Sequence, residues 1–293
     1  MHNPGWSRRE FLKRTMFAGG LVAAPGLLTA CAQQASGGLE ELQSAGSITL
    51  GIAGEEPYAY RDGGKLTGAI PEVHKAIWNN LGIDTIEAEQ VAFDGLIPGL
   101  NAQRFNVVAA GMFITPERCQ QAEFADPTYC APNAFLVPQG NPDDLSDFKS
   151  VADAGVKIAV LGGAVEGTFA KANGVAGGNV VVVGSTRDGL LQVQQGRVGA
   201  LALTTITLNN ALKDNPSSKL ELTEPFIPEV DGEPQNGCGA AVFRQDDDSL
   251  REAYNEELAK LKQSGELVKI MEPFGFGEET VPPDDITTEQ LCG

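Results

Sequence analysis

Short apolar runs rich in β-branched residues alternate with segments of helical periodicity from residue 47 onward. A first series predicts a strand over 48–53, a helix over 70–81, a strand over 86–91, a helix over 96–103 and a strand over 107–112. A second series predicts a strand over 157–161, a helix over 166–172, a strand over 180–183, a helix over 188–195 and a strand over 200–203. Strands that alternate with helices indicate the α/β class, with parallel-rich sheets covered on both faces.

The two series echo one another, because Asp94-Gly95-Leu96-Ile97 and Asp188-Gly189-Leu190-Leu191 each open a predicted helix that leads into an apolar strand. The chain therefore predicts two related lobes. Extended runs at 134–140 and 239–243 are candidate crossings, and the resulting division is lobe 1 at 47–138 plus 239–293 and lobe 2 at 139–238. Two crossings permit hinge closure around a ligand. A last helix over 250–261 carries an apolar stripe that would pack on lobe 1.

Residues 1–30 have the order of segments found in a bacterial export signal. Arg8-Arg9 resembles the pair of a twin-arginine signal, and the apolar run over 16–28 is too short to span a bilayer stably. Leu28-Thr29-Ala30-Cys31 resembles a lipobox, in which the cysteine takes a diacylglyceryl group; a short buried helix with an incidental cysteine is the alternative. With residues 31–46 as a flexible tether, the sequence predicts an extracytoplasmic protein anchored to the membrane by a lipidated Cys31.

The net charge of the chain is -18, and the remainder is more negative still once the basic export segment is removed. Such a surface repels phosphate backbones and anionic head groups. The charge therefore argues against nucleic-acid binding and against a second, electrostatic membrane contact.

Four cysteines follow the lipobox, and in an oxidising compartment they predict two disulfides, although buried free thiols remain an alternative. Three pairings are possible, of which Cys119–Cys130 with Cys238–Cys292 is preferred. The only histidine after the export segment is His74, inside a predicted amphipathic helix. Zinc sites and histidine-based catalysis therefore find little support, and no cofactor or metal is expected.

The stretch from Ala110 to Arg118 carries the most chemical information. Thr115 can cap a new helix, Pro116 suits its first position, and Glu117 favours the positive end of its dipole. Arg118 then lies in the first helical turn at the carboxyl edge of a parallel sheet, where open α/β folds bind ligands. A cation there calls for an anion, either a ligand carboxylate held in a fork or an acidic neighbour in a salt bridge.

Gly111-Met112, Thr115-Pro116-Glu117-Arg118 and the helix that begins near Asp94 together resemble the polar amino-acid family (family 3) of solute-binding proteins, which feed ABC importers. The resemblance covers residues 47 to about 275. It implies a two-lobed, type II periplasmic-binding-protein-like fold, and a monomer that is not an enzyme and delivers its ligand to permease subunits in the membrane. It also implies that Arg118 holds a ligand carboxylate, assisted by Thr115.

Within that family, residues 51–60, 68–73 and 116–119 resemble the members that bind ectoine and 5-hydroxyectoine. The resemblance implies an acidic ligand contact at Glu55 and an aromatic box of Tyr58, Phe93 and Phe113. Each aromatic side chain could instead be an ordinary core residue, an alternative that applies most to Phe93. Ectoine carries a delocalised amidine cation and a carboxylate on one small ring, which suits aromatic faces, a carboxylate and an arginine.

Two departures from the amino-acid-binding members alter the expected ligand. The loop that commonly offers a Gly-Ser/Thr-Thr anchor reads Gly163-Ala164-Val165-Glu166, and the strand end that commonly presents an aspartate reads Leu203-Thr204-Thr205. Without that aspartate, a ligand lacking a primary ammonium fits better, and Glu166 and Thr204 become the candidate contacts in lobe 2. Another zwitterion, such as a betaine or polar amino acid, remains open. A dehydratase or lyase on this fold would need an acid or base, for which Glu55 or Glu166 could serve, but neither has a paired partner.

Overall fold

The computed structural model describes residues 38–293, which form two five-stranded sheets. The first sheet contains, in spatial order, β4 (Thr85–Gln90), β1 (Ser47–Ile52), β5 (Val107–Val108), β16 (Val242–Phe243) and β6 (Glu123–Phe124). Strands β4, β1 and β5 are parallel, whereas β16 is antiparallel to both of its neighbours. The antiparallel strand is therefore the one that returns from the other sheet.

The second sheet repeats this arrangement. Its strands are, in spatial order, β10 (Val180–Val183), β9 (Ile158–Leu161), β11 (Ala200–Thr204), β8 (Asn133–Pro138) and β12 (Leu220–Leu222). Strands β10, β9 and β11 are parallel, and β8 is antiparallel to both of its neighbours. Every residue of β9 and β11 is buried, as expected for central strands covered by helices on both faces.

Three short antiparallel pairs complete the strands of residues 38–293. They are β2 (Tyr60–Asp62) with β3 (Lys65–Thr67), β7 (Tyr129–Cys130) with β15 (Cys238–Gly239), and β13 (Glu229–Val230) with β14 (Glu233–Pro234). The β7–β15 pair holds together the two segments that cross between the sheets.

The helices cover the sheets. Their bounds are α1 Leu39–Ala45, α2 Ala69–Asn80, α3 Leu96–Asn101, α4 Pro116–Cys119, α5 Phe148–Ala154, α6 Glu166–Ala172, α7 Thr186–Gln194, α8 Thr205–Asp214, α9 Asp248–Ser264, α10 Glu266–Met271 and α11 Thr288–Cys292. Within residues 38–293, no helix is long and apolar enough to cross a membrane. The export signal, Cys31 and the first part of the predicted tether, 31–37, lie outside the described residues. The prediction of a flexible tether through residue 46 is wrong for the described part, because residues 39–45 form α1 and bury Leu42 in the core.

The predicted alternation of strands and helices is confirmed, with local differences that have physical causes. Helix α7 begins before the predicted residue 188, because the Ser185 side chain accepts a hydrogen bond from the Asp188 amide and caps the helix. Strand β5 ends at Val108, short of the predicted residue 112. Beyond it, the Met112 carbonyl accepts a hydrogen bond from Ala240, and Phe113 bridges Gly239, so this segment pairs with the returning crossing.

The first crossing lies earlier than the sequence indicates. The sequence division places residues through 138 with the first sheet, but β8 pairs with β11 and β12 in the second sheet. The chain therefore passes between the sheets just before Asn133. An apolar run such as 134–138 fits the interior of either sheet, so its composition could not assign it.

The predicted apolar stripe on the last long helix is confirmed, because Leu250, Tyr254, Leu258 and Leu261 of α9 are all buried. Tyr254 lies against α2, with its ring centroid 5.0 Å from that of His74. His74 Nδ1 accepts a hydrogen bond from Trp78 Nε1 at 3.1 Å, and burial lowers the pKa of His74 to about 3. It is therefore a neutral core side chain at physiological pH.

The preferred disulfide pairing is wrong. Cys119 bonds to Cys292, which fastens α4 to α11, and Cys130 bonds to Cys238, which joins the two crossing segments. The Cα atoms of each pair are close, at 5.7 and 4.0 Å, although the partners are 173 and 108 residues apart in sequence. Proximity of this kind is a tertiary property that sequence spacing does not report.

Candidate functional site

The capped first turn predicted around Arg118 is confirmed. Thr115 adopts an extended backbone before α4, its Oγ1 accepts a hydrogen bond from the Arg118 amide at 3.3 Å, and Pro116 occupies the first helical turn. These contacts satisfy one of the free amides at the helix start and fix the backbone that carries the arginine. Thr115 therefore acts on the Arg118 backbone.

The Arg118 guanidinium spans the cleft between the two sheets. It donates to the Phe113 carbonyl at 2.7 Å and to the Gly163 carbonyl, in the loop after β9, at 2.9 Å. Its Cζ lies 5.5 Å from the centroid of the Phe93 ring, a cation–π distance. Within residues 38–293, no carboxylate lies within salt-bridge distance of Arg118, so the acidic-neighbour alternative is not what the folded chain adopts.

Desolvation lowers the pKa of Arg118, and the negative field of Glu166 opposes that change. The guanidinium still carries its charge at physiological pH, because arginine starts from so high a pKa. Within the described part of the chain, two of its five N–H groups are used, by the carbonyls of Phe113 and Gly163, which leaves donors for an anion in the cleft.

The three predicted aromatic side chains converge on one cavity. Tyr58, Phe93 and Phe113 all line it, and all three are also buried among core residues. Tyr129, which the sequence did not single out, stands behind them, with its ring centroid 5.2 Å from Tyr58 and 6.2 Å from Phe113. The aromatic wall is therefore rigidly backed, and its members belong both to the core and to the cavity.

Glu55 follows β1 and faces this cavity from the first sheet. Its Oε1 accepts a hydrogen bond from Thr207 Oγ1 of α8 at 2.9 Å. Desolvation raises the pKa of Glu55 to about 7; the Thr207 hydrogen bond opposes this rise, and the negative field of Glu166 adds to it. A carboxylate in this position favours a positively charged partner.

Glu166, the first residue of α6, faces the same cavity from the second sheet and is 3% exposed. Its Oε1 accepts a hydrogen bond from Asn133 Nδ2 at 3.0 Å. Its Oε2 has no hydrogen-bond partner within the described part of the chain. Desolvation raises the pKa of Glu166, whereas Asn133 and Arg118 favour the ionised form. One buried carboxylate oxygen is thus left to accept an N–H from the cavity.

Hydrogen bonds join the two sides of the cleft through four side chains. Tyr58 Oη lies 3.0 Å from Thr204 Oγ1, and Thr204 Oγ1 lies 3.2 Å from Thr207 Oγ1. Thr207 then donates to Glu55, so the chain of bonds starts and ends on the first-sheet side. Backbones also meet, since a Cβ on Gly163, at φ +78°, would lie 2.8 Å from Asp94 Cα. The cleft is therefore closed in this structure.

Seven of the eight predicted site residues line the compact cavity in this closed cleft. They are Glu55, Tyr58, Phe93, Phe113, Arg118, Glu166 and Thr204. The eighth, Thr115, acts from behind as the cap of α4. The cavity has a volume of about 20 Å³, which is room for roughly one water, so a ring-sized ligand requires the closing contacts to open.

A wider cavity of about 470 Å³ adjoins the compact one and shares Glu55, Phe93 and Leu161 with it. Its remaining wall is largely polar and comes from the loop after β1 and from the lengths of α7 and α8. Burial and the neighbouring acids Asp214 and Asp62 raise the pKa of Glu56 on this wall. The compact site therefore lies at the inner end of a larger, polar space.

Sequence reasoning missed Thr207, Asn133 and Tyr129. Thr207 had a readable signal, because Thr204-Thr205-Ile206-Thr207 repeats the spacing of Thr115-Pro116-Glu117-Arg118 after an apolar strand. Asn133 and Tyr129 flank the first crossing, and only the tertiary structure brings them to the site.

The sequence profile of the bacterial extracellular solute-binding proteins, family 3, matches residues 48–278. The chain belongs to family 3 of these proteins. The resemblance inferred from the Arg118 segment is thereby confirmed over most of the chain.

Relatives and solved structures agree with this assignment. A probable amino-acid ABC transporter periplasmic-binding protein of Sinorhizobium fredii is 35% identical over 259 residues, covering 87% of this chain and 85% of that protein. The crystal structure of EhuB in complex with hydroxyectoine matches with a TM-score of 0.79 at 35% identity, over 87% of this chain and 97% of that one. An ancestral amino-acid-binding protein, a precursor of cyclohexadienyl dehydratase, matches with a TM-score of 0.70 at 25% identity, over 80% and 98%.

These matches confirm the α/β fold of the two-lobed, type II periplasmic-binding-protein kind. They make the chain a solute-binding protein of the amino-acid ABC transporter family, with a small-molecule ligand and permease partners. The family is extracellular, and the curated relatives are binding proteins and not enzymes.

Proposed function

We propose that this protein captures ectoine or 5-hydroxyectoine outside the cytoplasm and delivers it to an ABC importer. The observation that carries the proposal is the convergence of Arg118, Glu55 and three aromatic rings on one compact cavity. Ectoine presents a carboxylate and a delocalised amidine cation on a single small ring. The cavity offers a cation for the first and a carboxylate with aromatic faces for the second.

Each group of the ligand has a partner of matching chemistry. The donors left on Arg118 would take the carboxylate, while the capped turn of α4 keeps the guanidinium in place. Glu55 and the free oxygen of Glu166 would accept the amidine N–H groups. The faces of Tyr58, Phe93 and Phe113 would attract the delocalised cation by about 0.5 to 2 kcal/mol each. Thr204 would contribute a hydroxyl where amino-acid-binding members commonly present an aspartate.

Delivery to a permease requires a hinge and a position near the membrane. We place the hinge at the two crossing segments, so that lobe 1 and lobe 2 separate to admit the ligand and close over it. We also retain the sequence-based proposal of a twin-arginine export signal and a lipid anchor at Cys31. The tether after Cys31 would leave the lobes free to move while keeping them beside the importer.

Isothermal titration calorimetry of the purified protein tests the ligand. We expect tight binding of ectoine and 5-hydroxyectoine and weaker binding of glutamine or histidine, which carry a primary α-ammonium group beside the carboxylate where ectoine carries its ring amidine. No heat with ectoine together with a strong response to glutamine or histidine would refute the assignment. Mass spectrometry of small molecules that co-purify with the protein gives an independent reading.

A receptor for another zwitterion, such as a betaine or a polar amino acid, is the second candidate, and the polar cavity of about 470 Å³ beside the compact site favours the amino acid. A polar amino acid with its carboxylate on Arg118 could extend past Glu55 into this space. Screening betaines and polar amino acids in the same calorimeter separates the two candidates.

A lyase or dehydratase is less favoured, because the fold match to a dehydratase precursor is to an amino-acid-binding protein. Release of the bound ligand unchanged would exclude turnover.

A further inference from the structure

We propose that Thr207 is a positioning residue that holds the Glu55 carboxylate ionised and aimed at the ligand cation, and so makes ligand capture depend on closure of the cleft. This inference rests on the proposed function, because it concerns how the same site recognises a cation. Thr207 lies on the opposite side of the cleft from Glu55, so the contact exists only when the two sides meet.

The position of Thr207 is set by two contacts at the start of α8. Its amide donates to Thr204 Oγ1 at 3.3 Å, which makes Thr204 the cap of the helix. The Thr207 side chain is fully buried, and its Oγ1 lies 2.9 Å from Glu55 Oε1. A hydroxyl held by a capped helix has little freedom to turn elsewhere. Thr207 is therefore a fixed donor directed at one carboxylate oxygen.

A fixed donor matters here because Glu55 sits where ionisation is unfavourable. Desolvation and the nearby Glu166 both raise the pKa of Glu55, and the Thr207 hydrogen bond is the contact that opposes them. A hydrogen bond to the charged form favours that form. The titratable or charged side chains that line the two cavities with Glu55 are Glu56, Tyr58, Arg118, Glu166, Arg187 and Asp214.

The linkage has a definite sign. A cationic ligand favours ionised Glu55, so the pKa of Glu55 is lower in the complex than in the free protein, and binding below that free value releases a proton. In the closed form that this structure shows, the pKa of Glu55 before binding is about 7, so affinity is full above that value and falls as the pH drops through it, by at most tenfold per pH unit for one proton. In that closed form, loss of the Thr207 hydroxyl raises the pKa of Glu55 before binding and moves this acid limb to higher pH.

The experiment measures ectoine affinity by calorimetry at several pH values between about 5.5 and 9, on both sides of the Glu55 pKa of about 7. Thr207→Val removes the hydroxyl at similar size, Thr207→Ala removes it without β-branching, and Thr207→Ser restores it. Thr205→Val is the matched control on the same turn, since the Thr205 hydroxyl makes no hydrogen bond in the described chain. Thermal unfolding establishes that each variant is folded.

We expect the acid limb to move to higher pH in Thr207→Val and Thr207→Ala, with a loss of at least several-fold near neutral pH. Thr207→Ser and Thr205→Val should keep the wild-type profile, and Glu55→Gln should flatten it. An affinity loss of equal size at every pH, or a serine variant that fails to restore the profile, would overturn the positioning role. No ectoine binding by the wild-type protein would instead refute the proposed function, so the two failures are distinguishable.

Discussion

The two sheets carry the same threonine-capped helix start at equivalent places, but the third residue after the threonine differs in chemistry. In each, the chain leaves the third parallel strand and enters a helix capped by a threonine, Thr115 before α4 and Thr204 before α8. Each threonine accepts a hydrogen bond from the amide three residues on, which belongs to Arg118 in one case and Thr207 in the other. One scaffold position therefore supplies a cation on one side of the cleft and a hydroxyl donor on the other.

The two helices differ in how they are held. Helix α4 is only four residues long and is bonded at Cys119 to Cys292 of α11, whereas α8 runs for ten residues and packs on its own sheet. One helical turn has little stability of its own. The charged residue, Arg118, thus lies on α4, the helix that depends on a disulfide to stay in place.

The largest expected effect is on the arginine side of this comparison. Arg118→Ala should abolish measurable ectoine binding, because a ligand carboxylate would be left unpaired in a closed cleft, a loss of about 2 to 5 kcal/mol or more. Calorimetry measures it, with Arg118→Lys as a control that keeps the charge and loses the fork. Near-wild-type affinity of the alanine variant would show that the carboxylate is bound elsewhere.

The next-largest effect is expected from removal of the Cys119–Cys292 disulfide. Cys119→Ala with Cys292→Ala should lower the free energy of unfolding by about 2 to 5 kcal/mol and also weaken ligand binding, because α4 loses its anchor. Cys130→Ala with Cys238→Ala is the matched control, since it removes a disulfide without releasing α4. Denaturant unfolding and calorimetry measure both quantities. Unchanged affinity in the first variant would mean that packing alone holds Arg118.

The two capping threonines offer a smaller and more direct comparison. Thr115→Ala and Thr204→Ala should each cost about 0.5 to 2 kcal/mol of stability through loss of the cap. Thr204→Ala should weaken ectoine binding further, because its hydroxyl also bonds Tyr58 across the cleft. Equal changes in affinity for the two variants would contradict a role for the Tyr58–Thr204 contact in closure.

The smallest effect is expected in the wider cavity. Asp214 is exposed on α8, so Asp214→Asn should change ectoine affinity by less than about threefold. A larger loss with a long cationic amino acid than with ectoine would indicate that such ligands reach this wall. A large loss with ectoine itself would show that the bound ring does not stay in the compact cavity.

Much of the site could be predicted because its residues stand in local patterns. Thr115 and Arg118 were readable from a strand end, a cap and a proline in one short segment. Glu55, Tyr58, Phe93 and Phe113 followed from the family resemblance, and they line the same cavity. Thr207 was readable from the repeated spacing, but nothing local said that its hydroxyl meets Glu55.

Local patterns determined the strands, helices, caps and apolar faces, because they depend on residues a few positions apart. Only the tertiary structure decided that β8 joins the second sheet, that Cys119 bonds Cys292, and that Thr207 donates to Glu55. Each of these contacts joins residues far apart in sequence, and its formation depends on how whole sheets and helices pack. The physical reason is that the residues of a segment determine which apolar, thiol or hydrogen-bonding groups it offers. The fold determines which distant group lies close enough to pair with them.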